Sequence, residues 1–386
     1  MAPTAFESWA LSSATTTTTP LQDLRAWMSR HNLEAAYITK PVSIAYLTGF
    51  HAEPFERLMA LAVRSDRATL IVPAIEREKA ARDAEQTEVV SWRDGEDGYA
   101  LVRTALEGCD EVAVEKEHLT VQAAEMLIAR TAAREMHRGA AARDFVDASP
   151  EIRRLRRIKN HAEIEKLARA GSITDTVGEE VIGKLRPGLT ELEVSVMIGA
   201  AIGEHGGTLS FESLVQSGPN SALPHVRPTS RRLAEGDFVL LDFGATFDGY
   251  RADTTRMAVV GEPGERHKEI HGLVLAAHDA AIAAVRAGTT AGSVDSAARQ
   301  LIEAAGMGDL FFHRVGHGLG LEAHEDPSLD PGSATVLEAG MVFTIEPGIY
   351  VPGWGGVRIE DDVVVERAGC RLLTKADRSL RVIPLN

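Results

Sequence analysis

Two acidic residues in the second half of the sequence, Asp242 and Asp253, flank a predicted β-hairpin turn. An apolar run precedes Asp242, and the turn pair Asp248-Gly249 lies between the two acids. If that pair forms a two-residue loop, Asp242 faces Thr255, and Asp253 lies diagonally on the same face within ~8 Å. Two such carboxylates repel each other and lose hydration, and a divalent cation offsets both penalties. Taken alone, this pattern is more often a surface hairpin.

A second acidic pair, Glu346 and Glu360, ends two further strand-like runs, Met341–Ile345 and Gly356–Ile359. The two acids are an even number of residues apart, so they can lie on one face of a sheet. Arg358 alternates with Glu360 and offers a different interpretation, a salt-bridged hairpin in which Arg358 pairs with Glu346. The spacing leaves both interpretations open.

Three histidines, His313, His317 and His324, lie within the segment FFHRVGHGLGLEAHEDP. A single histidine is usually an ordinary core or surface residue. Three close together among glycines indicate a site, because glycine lets the backbone approach a ligand, and histidine is the commonest nitrogen ligand of such metals. A zinc finger is a poor alternative because no cysteine is nearby.

Four carboxylates with one imidazole would hold two divalent cations, because two doubly charged ions balance four negative charges. Oxygen-rich ligation with one imidazole favours Mn²⁺, and Co²⁺ or Zn²⁺ can compete through their affinity. The acidic and histidine segments therefore predict a dinuclear metal site.

The composition excludes several classes of protein. The 386 residues suffice for two domains, and a net charge of −15 argues against nucleic acid as a partner. No apolar run approaches the roughly 20 residues of a membrane helix, and no secretory signal is recognisable. Two distant cysteines, Cys109 and Cys370, fit a reducing compartment. We therefore expect a cytoplasmic protein that does not bind membranes.

The elements that must position these residues form two predicted domains after a short tail. Residues 1–20 are low in complexity and are predicted to be a mobile tail. Alternating helix and strand signals over residues 21–148 predict an α/β domain. The basic segment EIRRLRRIKN connects to a second domain, residues 149–386, and its charges are expected to form a solvated helix face.

The second domain contains an internal repeat with an offset of 100 residues. Both copies are predicted to form a helix, a glycine-containing turn and a second helix, with threonine N-caps and glycine stops. The domain is therefore expected to consist of two related α/β halves. The matched pairs are Ile182 and Ile282, Arg186 and Arg286, Gly188 and Gly288, Thr190 and Thr290, Val194 and Val294, Ile202 and Ile302, and Gly206 and Gly306.

The second domain resembles the pita-bread metallopeptidases, the family of aminopeptidase P, prolidase, creatinase and methionine aminopeptidase. The resemblance rests on LDFGATFDGYRADTTR, HRVGHGLGLEAHEDP, TIEPGIY and GVRIEDD, and runs from about Ser149 to the C-terminus. Upstream, AYLTGF resembles the N-terminal domain of the creatinase and prolidase branch, which methionine aminopeptidases lack. The resemblance implies an α+β fold, with a C-terminal pita-bread domain of two pseudo-symmetric α/β halves after a smaller α/β domain.

The resemblance also assigns the metal ligands. Asp242 should bind one metal, His317 and Glu346 the other, and Asp253 and Glu360 should bridge both. A water shared by two cations loses a proton near neutral pH and can attack a peptide carbonyl. Glu346 should take a proton from that water and pass it to the leaving nitrogen.

Further residues should meet the substrate. His225, in SALPHVRP, matches a histidine of the family that contacts substrate, and His313 and His324 match histidines that line the same site. His324 should steady the scissile carbonyl or the tetrahedral intermediate. Tyr350 and Arg358 match positions that contact substrate or support the ligands.

The resemblance implies cleavage of Xaa-Pro bonds in proline-containing dipeptides or peptides, and a homodimer. The short N-terminal domain favours a dipeptidase (prolidase) of the compact bacterial kind over an aminopeptidase P, which releases the N-terminal residue of longer peptides. Remoter alternatives are a metal-free creatinase-like hydrolase, a dimethylsulfoniopropionate lyase and a non-catalytic binding module. Creatinase-like and binding-only members usually lose metal ligands, and all five are present here.

Overall fold

The computed structural model of the protein describes residues 18–131 and 145–385. The chain divides into two compact units, residues 1–155 and 156–386. Most of the predicted mobile tail, residues 1–17, lies outside the described residues. Its last residues are ordered in the structure, because the side chain of Thr19 caps a helix that begins at Pro20. The predicted domain boundary at Ser149 falls at the start of a helix, and the division into units falls within that helix, after Leu155.

The first unit is an α/β layer structure built on one mixed sheet. Its strands lie in the order β4-β3-β2-β1-β5-β6, and successive residues of β1 contribute alternately to two apolar clusters, one on each face. The elements are α1 (Pro20–Arg30), β1 (Ala35–Ile38), α2 (Pro41–Thr48), β2 (Ala60–Arg64), β3 (Ala68–Pro73), α3 (Arg77–Asp83), β4 (Glu88–Trp92), α4 (Gly98–Ala105), β5 (Val112–Val114), α5 (Val121–Thr131) and β6 (Val146–Asp147). Helix α6 (Ser149–Arg157) follows.

The second unit combines long helices with several short sheets. Its elements are α7 (His161–Ile182), α8 (Glu191–Glu204), β7 (Thr208–Leu209), β8 (Leu214–Ser217), β9 (Phe238–Phe243), β10 (Ala245–Phe247), β11 (Tyr250–Arg251), β12 (Thr254–Val260), α9 (Glu265–Ala284), α10 (Ala291–Ala304), β13 (His317–Gly318), β14 (Glu325–Ser328), β15 (Val342–Ile345), β16 (Gly348–Val351), β17 (Gly355–Arg358), β18 (Asp361–Glu366), β19 (Gly369–Leu372) and β20 (Arg381–Ile383).

The predicted repeat is confirmed by the helices of the second unit. Thr190 and Thr290 both cap the next helix through their side chains, and α8 and α10 begin one residue later. Gly206 and Gly306 follow the two helices with φ values of 78° and 74°, a left-handed conformation that suits glycine. The unit therefore has two related halves, as predicted.

Each half contributes a sheet that carries site residues. The first has the strand order β20-β12-β9-β8, and the second has the order β14-β13-β15-β18-β19. An apolar cluster from α7, α8, β9 and β12 supports the first sheet, and a cluster that includes α9, α10, β15 and β18 supports the second. This arrangement confirms the predicted α+β class. Among the described residues, no helix is long and apolar enough to cross a membrane.

The basic segment around α6 departs from its prediction as a solvated face. Arg153 and Arg154 have side chains that are 37% and 50% exposed, as expected. Arg156 and Lys159, however, are buried, with side chains that are 6% and 1% exposed. The sequence did not reveal this because the carboxylates that receive these two cations lie far along the chain.

Candidate metal centre

The hairpin that carries the first acidic pair has the predicted register. Asp248 and Gly249 form a two-residue loop with φ values of 51° and 83°, the left-handed pair that a tight hairpin requires. Asp242 on β9 lies opposite Thr255 on β12. Asp253, just before β12, is 5% exposed and Asp242 is 7% exposed, so two acids lie buried beside an apolar sheet.

Two glycines allow the strands beside the ligands to approach each other. A Cβ atom at Gly244 would lie 1.7 Å from the carbonyl oxygen of Ala252, next to Asp253. A Cβ atom at Gly316, next to His317, would lie 1.8 Å from a carbonyl oxygen of β15. Both positions therefore require glycine, and both lie directly beside a predicted ligand.

The second acidic pair meets the first through Thr255. The backbone nitrogen of Glu360 donates to the carbonyl oxygen of Thr255 at 3.3 Å, and the Thr255 hydroxyl donates to Glu360 Oε2 at 2.6 Å. Glu346 follows β15, and its backbone nitrogen donates to the carbonyl oxygen of Val315 at 2.8 Å. The acids of the two halves thus converge on one site.

His317 completes this cluster. Ligand atoms of Asp253, His317 and Glu360 all lie within 4.8 Å of one another, and His317 Nε2 lies 3.2 Å from Glu346 Oε1. His317 Nδ1 lies 3.2 Å from the carbonyl oxygen of Gly318. A proton on Nδ1 would satisfy that contact and leave the Nε2 lone pair facing the carboxylates.

Arg358 is the cation that the chain itself places against these acids. It forms an ion pair with Asp242 and donates to the Thr255 hydroxyl at 2.9 Å and to the Tyr350 hydroxyl at 3.0 Å. The salt-bridged alternative, with Glu346 as the partner of Arg358, has the longer distance of 3.9 Å. Arg358 lies within 4 Å of three of the four carboxylates, those of Asp242, Glu346 and Glu360, so one positive charge balances the acidic cluster only in part.

Burial shifts the titration of the four carboxylates towards the protonated form. The pKa values of Asp253 and Glu360 lie well above the usual range, because burial is reinforced by neighbouring carboxylates. Burial also raises the pKa of Asp242, although Arg358 opposes the shift, and it raises the pKa of Glu346 to about 7. Arg358 therefore offsets only part of the negative charge that these four acids would carry when ionised.

The residues present fit divalent cations. Asp242 Oδ1 and Asp253 Oδ1 are buried and have no hydrogen-bond partner, which is costly unless another electrophile meets them. Burial, with the charge of His324, holds the pKa of His317 well below its usual range, so its ring is neutral and can ligate. Carboxylate oxygens with one imidazole are a suitable donor set for such an ion.

The predicted substrate residues lie around the same cluster. The rings of His317 and His324 have centroids 3.9 Å apart, and His313 Nε2 lies 3.0 Å from the Tyr350 hydroxyl. Burial lowers the pKa of His313 to about 4 and also lowers that of His324. His225 is exposed, and a positive charge on it contributes to lowering the pKa values of Asp242, His313 and His324.

Gln216 holds the loop of His225 and was missed in the sequence. This buried residue of β8 donates from Nε2 to the carbonyl oxygens of Leu223 and Val226, both at 2.9 Å, and of Pro224 at 3.2 Å. These carbonyls flank His225 on both sides. A single glutamine in an apolar strand gives no sequence signal of that role.

A second network, behind Glu360, was also missed. Asp361 follows Glu360 and accepts a hydrogen bond from Arg256 Nη2 at 2.7 Å. Arg256 Nη1 donates to the carbonyl oxygen of Glu360 at 2.6 Å. Asp362 Oδ2 accepts from the backbone nitrogen of Asp253 at 2.9 Å. These contacts fix the backbone at both predicted bridging ligands.

Comparison with known proteins agrees with this geometry. Residues 165–367 match Metallopeptidase family M24, and residues 20–158 match the Creatinase/Prolidase N-terminal domain. An Xaa-Pro dipeptidase of Lactobacillus helveticus is 38% identical over 374 residues, which cover 95% of this chain and 99% of the relative.

Solved structures give the same result. The Xaa-Pro dipeptidase from Bacillus anthracis is 34% identical and superposes with a TM-score of 0.86, covering 94% of this chain and 99% of that one. The X-Pro aminopeptidase from Thermotoga maritima MSB8 is 31% identical with a TM-score of 0.84 and the same coverage. With a creatinase-type first domain and a pita-bread second domain that gathers buried carboxylates and a histidine, this chain belongs to metallopeptidase family M24.

Proposed function

We propose that this protein is an Xaa-Pro dipeptidase that works with two divalent cations, manganese first among them. The observation that carries the proposal is the convergence of Asp253, His317 and Glu360 within 4.8 Å, next to buried carboxylate oxygens that have no partner. Its relatives include dipeptidases that match this chain over nearly its full length. Asp242 and Glu346 complete the proposed ligand set.

The family resemblance supports one division of the ligands between the two ions. Asp242 would hold one ion, His317 and Glu346 the other, and Asp253 and Glu360 would lie between them. When bound, the pair of ions would supply a water that is ionised near neutral pH. Oxygen-rich ligation favours Mn²⁺, with Co²⁺ and Zn²⁺ as competitors.

The chain's own residues carry the proton and hold the carbonyl. Glu346 would accept a proton from the attacking water and return it to the proline nitrogen, which leaves as a secondary amine. The Thr344 hydroxyl, 3.2 Å from Glu346 Oε1, orients that carboxylate. His324 would donate to the carbonyl oxygen as negative charge develops there.

Other residues would bind the substrate. His225 and His313 would contact the substrate beside His324, and the loop of His225 is held by Gln216. Tyr350 and Arg358 contact each other at 3.0 Å. Arg358 would act mainly by orienting Asp242, and Tyr350 by orienting His313.

An aminopeptidase P is the second candidate, and one observation favours it. The X-Pro aminopeptidase from Thermotoga maritima MSB8 superposes almost as well as the dipeptidase from Bacillus anthracis. The two activities differ in whether the site accepts peptide beyond the proline. We also propose a cytoplasmic homodimer. Cys109 and Cys370 are not joined by a disulfide, which supports the location, and the family resemblance supports the dimer.

The test is to offer the purified protein Ala-Pro, a longer Xaa-Pro peptide and Ala-Ala, each with Mn²⁺. A dipeptidase cleaves Ala-Pro in preference to both others. Cleavage of the longer peptide alone would replace the proposal with aminopeptidase P. Cleavage of neither proline substrate would reject Xaa-Pro hydrolysis altogether.

A further inference from the structure

A buried ion cluster joins the end of α6 and the residues directly after it to the loop of His324. Arg156 Nη1 lies 2.8 Å from Glu322 Oε2, and Arg156 Nη2 also pairs with Glu325. Lys159 Nζ lies 2.6 Å from Glu325 Oε1. The side chains of Arg156, Lys159 and Glu325 are 6%, 1% and 7% exposed. A buried carboxylate thus meets two buried cations directly after His324 in the chain.

The loop is shaped to admit this cluster. A Cβ atom at Gly320 would lie 2.4 Å from Glu325 Oε1 and 3.0 Å from Lys159 Cε, so only glycine leaves room for the ion pair. Although burial alone would raise the pKa of Glu325, Lys159 and Arg156 hold it below the usual range. Glu325 is therefore a charged anchor.

The other side of the loop is tied to the hairpin of the first acidic pair. The backbone nitrogen of Arg251 donates to the carbonyl oxygen of Gly320 at 2.9 Å, and Arg251 Nε donates to that of Leu321 at 3.1 Å. Arg251 is two residues before Asp253. The loop thus lies between a metal-ligand hairpin and the buried cations. Its exposed residue His324 packs against His317, with the two rings tilted by 43° and their centroids 3.9 Å apart.

We propose that Glu325, held by Arg156 and Lys159, is the positioning residue that fixes His324 over the metal centre. Arg156 and Lys159 of the basic segment would then hold the loop of His324 in place, and they would not be charges of a solvated surface. A buried ion pair is an uncertain source of stability, because the loss of hydration offsets the attraction. A role in fixing one loop geometry accounts better for three desolvated charges beside one functional histidine.

This inference rests on the proposed role of His324 in Xaa-Pro hydrolysis, so its test needs a measurement that does not depend on activity. In metal-free protein with labelled histidines, ring protons of His317 and His324 should show a strong nuclear Overhauser contact. Glu325→Gln should weaken that contact. Glu151→Gln, which removes an equally buried carboxylate from its arginine partner Arg154, should leave it intact.

The second measurement is a double-mutant cycle with the manganese-loaded protein. Glu325→Gln should lower kcat on Ala-Pro about 10- to 100-fold, the size expected when a catalytic group is misplaced by about 1 Å. The same change should have almost no effect in the His324→Ala background, because there is then nothing to position. Glu151→Gln should leave kcat unchanged in both.

Several results would overturn the proposal. One is an unchanged ring contact in Glu325→Gln, and another is an equal loss of kcat with and without His324. If Glu325→Gln does not fold, Lys159→Met is the substitute variant, because Arg156 still pairs with Glu325 in it. Lys159→Met should then weaken the ring contact, and the control Arg154→Met should not. Failure of the wild type to cleave Ala-Pro would reject the proposed function, and the ring contact would still report on positioning.

Discussion

Glu360 and Asp361 are neighbours in the chain, yet they lie in opposite electrostatic surroundings. Burial and nearby carboxylates raise the pKa of Glu360 well above its usual range. Burial would also raise the pKa of Asp361, but contact with His278 and the charge of Arg256 hold it below the usual range. Side chains of the protein itself pair with the Asp361 carboxylate. The Glu360 carboxylate lies in a cluster of acids whose negative charge is only partly balanced.

The two surroundings also depend on each other. Arg256 pairs with Asp361 and donates to the backbone carbonyl of Glu360 at 2.6 Å. Arg378 and Thr374 add donors to Asp361 at 2.5 Å and 2.9 Å. The comparison teaches that the fold supplies cations and hydroxyl donors to the buried carboxylate of Asp361, which supports the site from behind. It leaves charge uncompensated at the site where a cation is expected.

The largest expected effect is the loss of peptide cleavage in Glu360→Gln, which changes the carboxylate in the acidic cluster. The amide keeps the shape but loses the charge of a proposed bridging ligand. Peptide cleavage should fall by more than the about 10- to 100-fold typical of residues that only support a ligand, and bound manganese should fall with it. Elemental analysis and an Ala-Pro assay would measure both, and undiminished cleavage with full metal content would contradict the account.

For the paired carboxylate, we expect Asp361→Asn to lower the free energy of unfolding before it affects metal binding. It leaves Arg256 buried with its partner charge removed, which costs about 3–5 kcal/mol in comparable cases. Denaturant unfolding of the metal-free protein would measure this loss. If Asp361→Asn lost metal but kept its stability, Asp361 would serve metal binding as Glu360 does, and the proposed difference between the two neighbouring acids would be wrong.

A smaller effect is expected from Thr255→Val, which tests how the two acidic pairs are joined. The hydroxyl of Thr255 donates to Glu360 at 2.6 Å and accepts from Arg358 at 2.9 Å. Its removal should weaken manganese binding about 10-fold, as loss of an outer hydrogen bond to a ligand does. A metal titration followed by calorimetry would detect the change, and Thr174→Val, another buried threonine, serves as the control.

The last expected effect is a pH dependence of stability in the metal-free protein, where no ion holds the carboxylate of Glu346 in its charged form. Burial raises the pKa of Glu346 from 4.5 to about 7 on folding, so folding favours its protonated form. The stability it contributes is full at low pH and is lost as pH rises through about 7. Wild type should therefore lose stability relative to Glu346→Gln as pH rises from 4.5 to about 7, as measured by denaturant unfolding. A difference that does not change with pH would contradict the assigned surroundings.

Local rules predicted the hairpin and the repeat. The pair Asp248-Gly249 forms a two-residue loop, and that loop length sets the register in which Asp242 lies opposite Thr255. Thr190 and Thr290 cap helices at equivalent positions because capping depends on the nearest residues. The resemblance named the ligands, and the structure brings the acids and His317 together.

The supporting contacts could not be predicted, because each joins residues far apart in sequence. Arg156 and Lys159 look like surface charges until Glu325 is placed against them. Gln216 and the carbonyls around His225 belong to a strand and an irregular loop. Periodicity reports which face of an element is apolar, but it does not report which distant residue fills a polar contact.

The central claim is that cations from outside the chain balance the buried acids around Glu360. Titration of metal-free protein with Mn²⁺ at neutral pH, in buffers of different ionisation enthalpy, tests it directly. We predict that manganese binds, that protons are released as carboxylates of raised pKa ionise, and that Glu360→Gln loses both signals. Absence of manganese binding would contradict the account. So would manganese binding that releases no protons and is equally strong in wild type and Glu360→Gln.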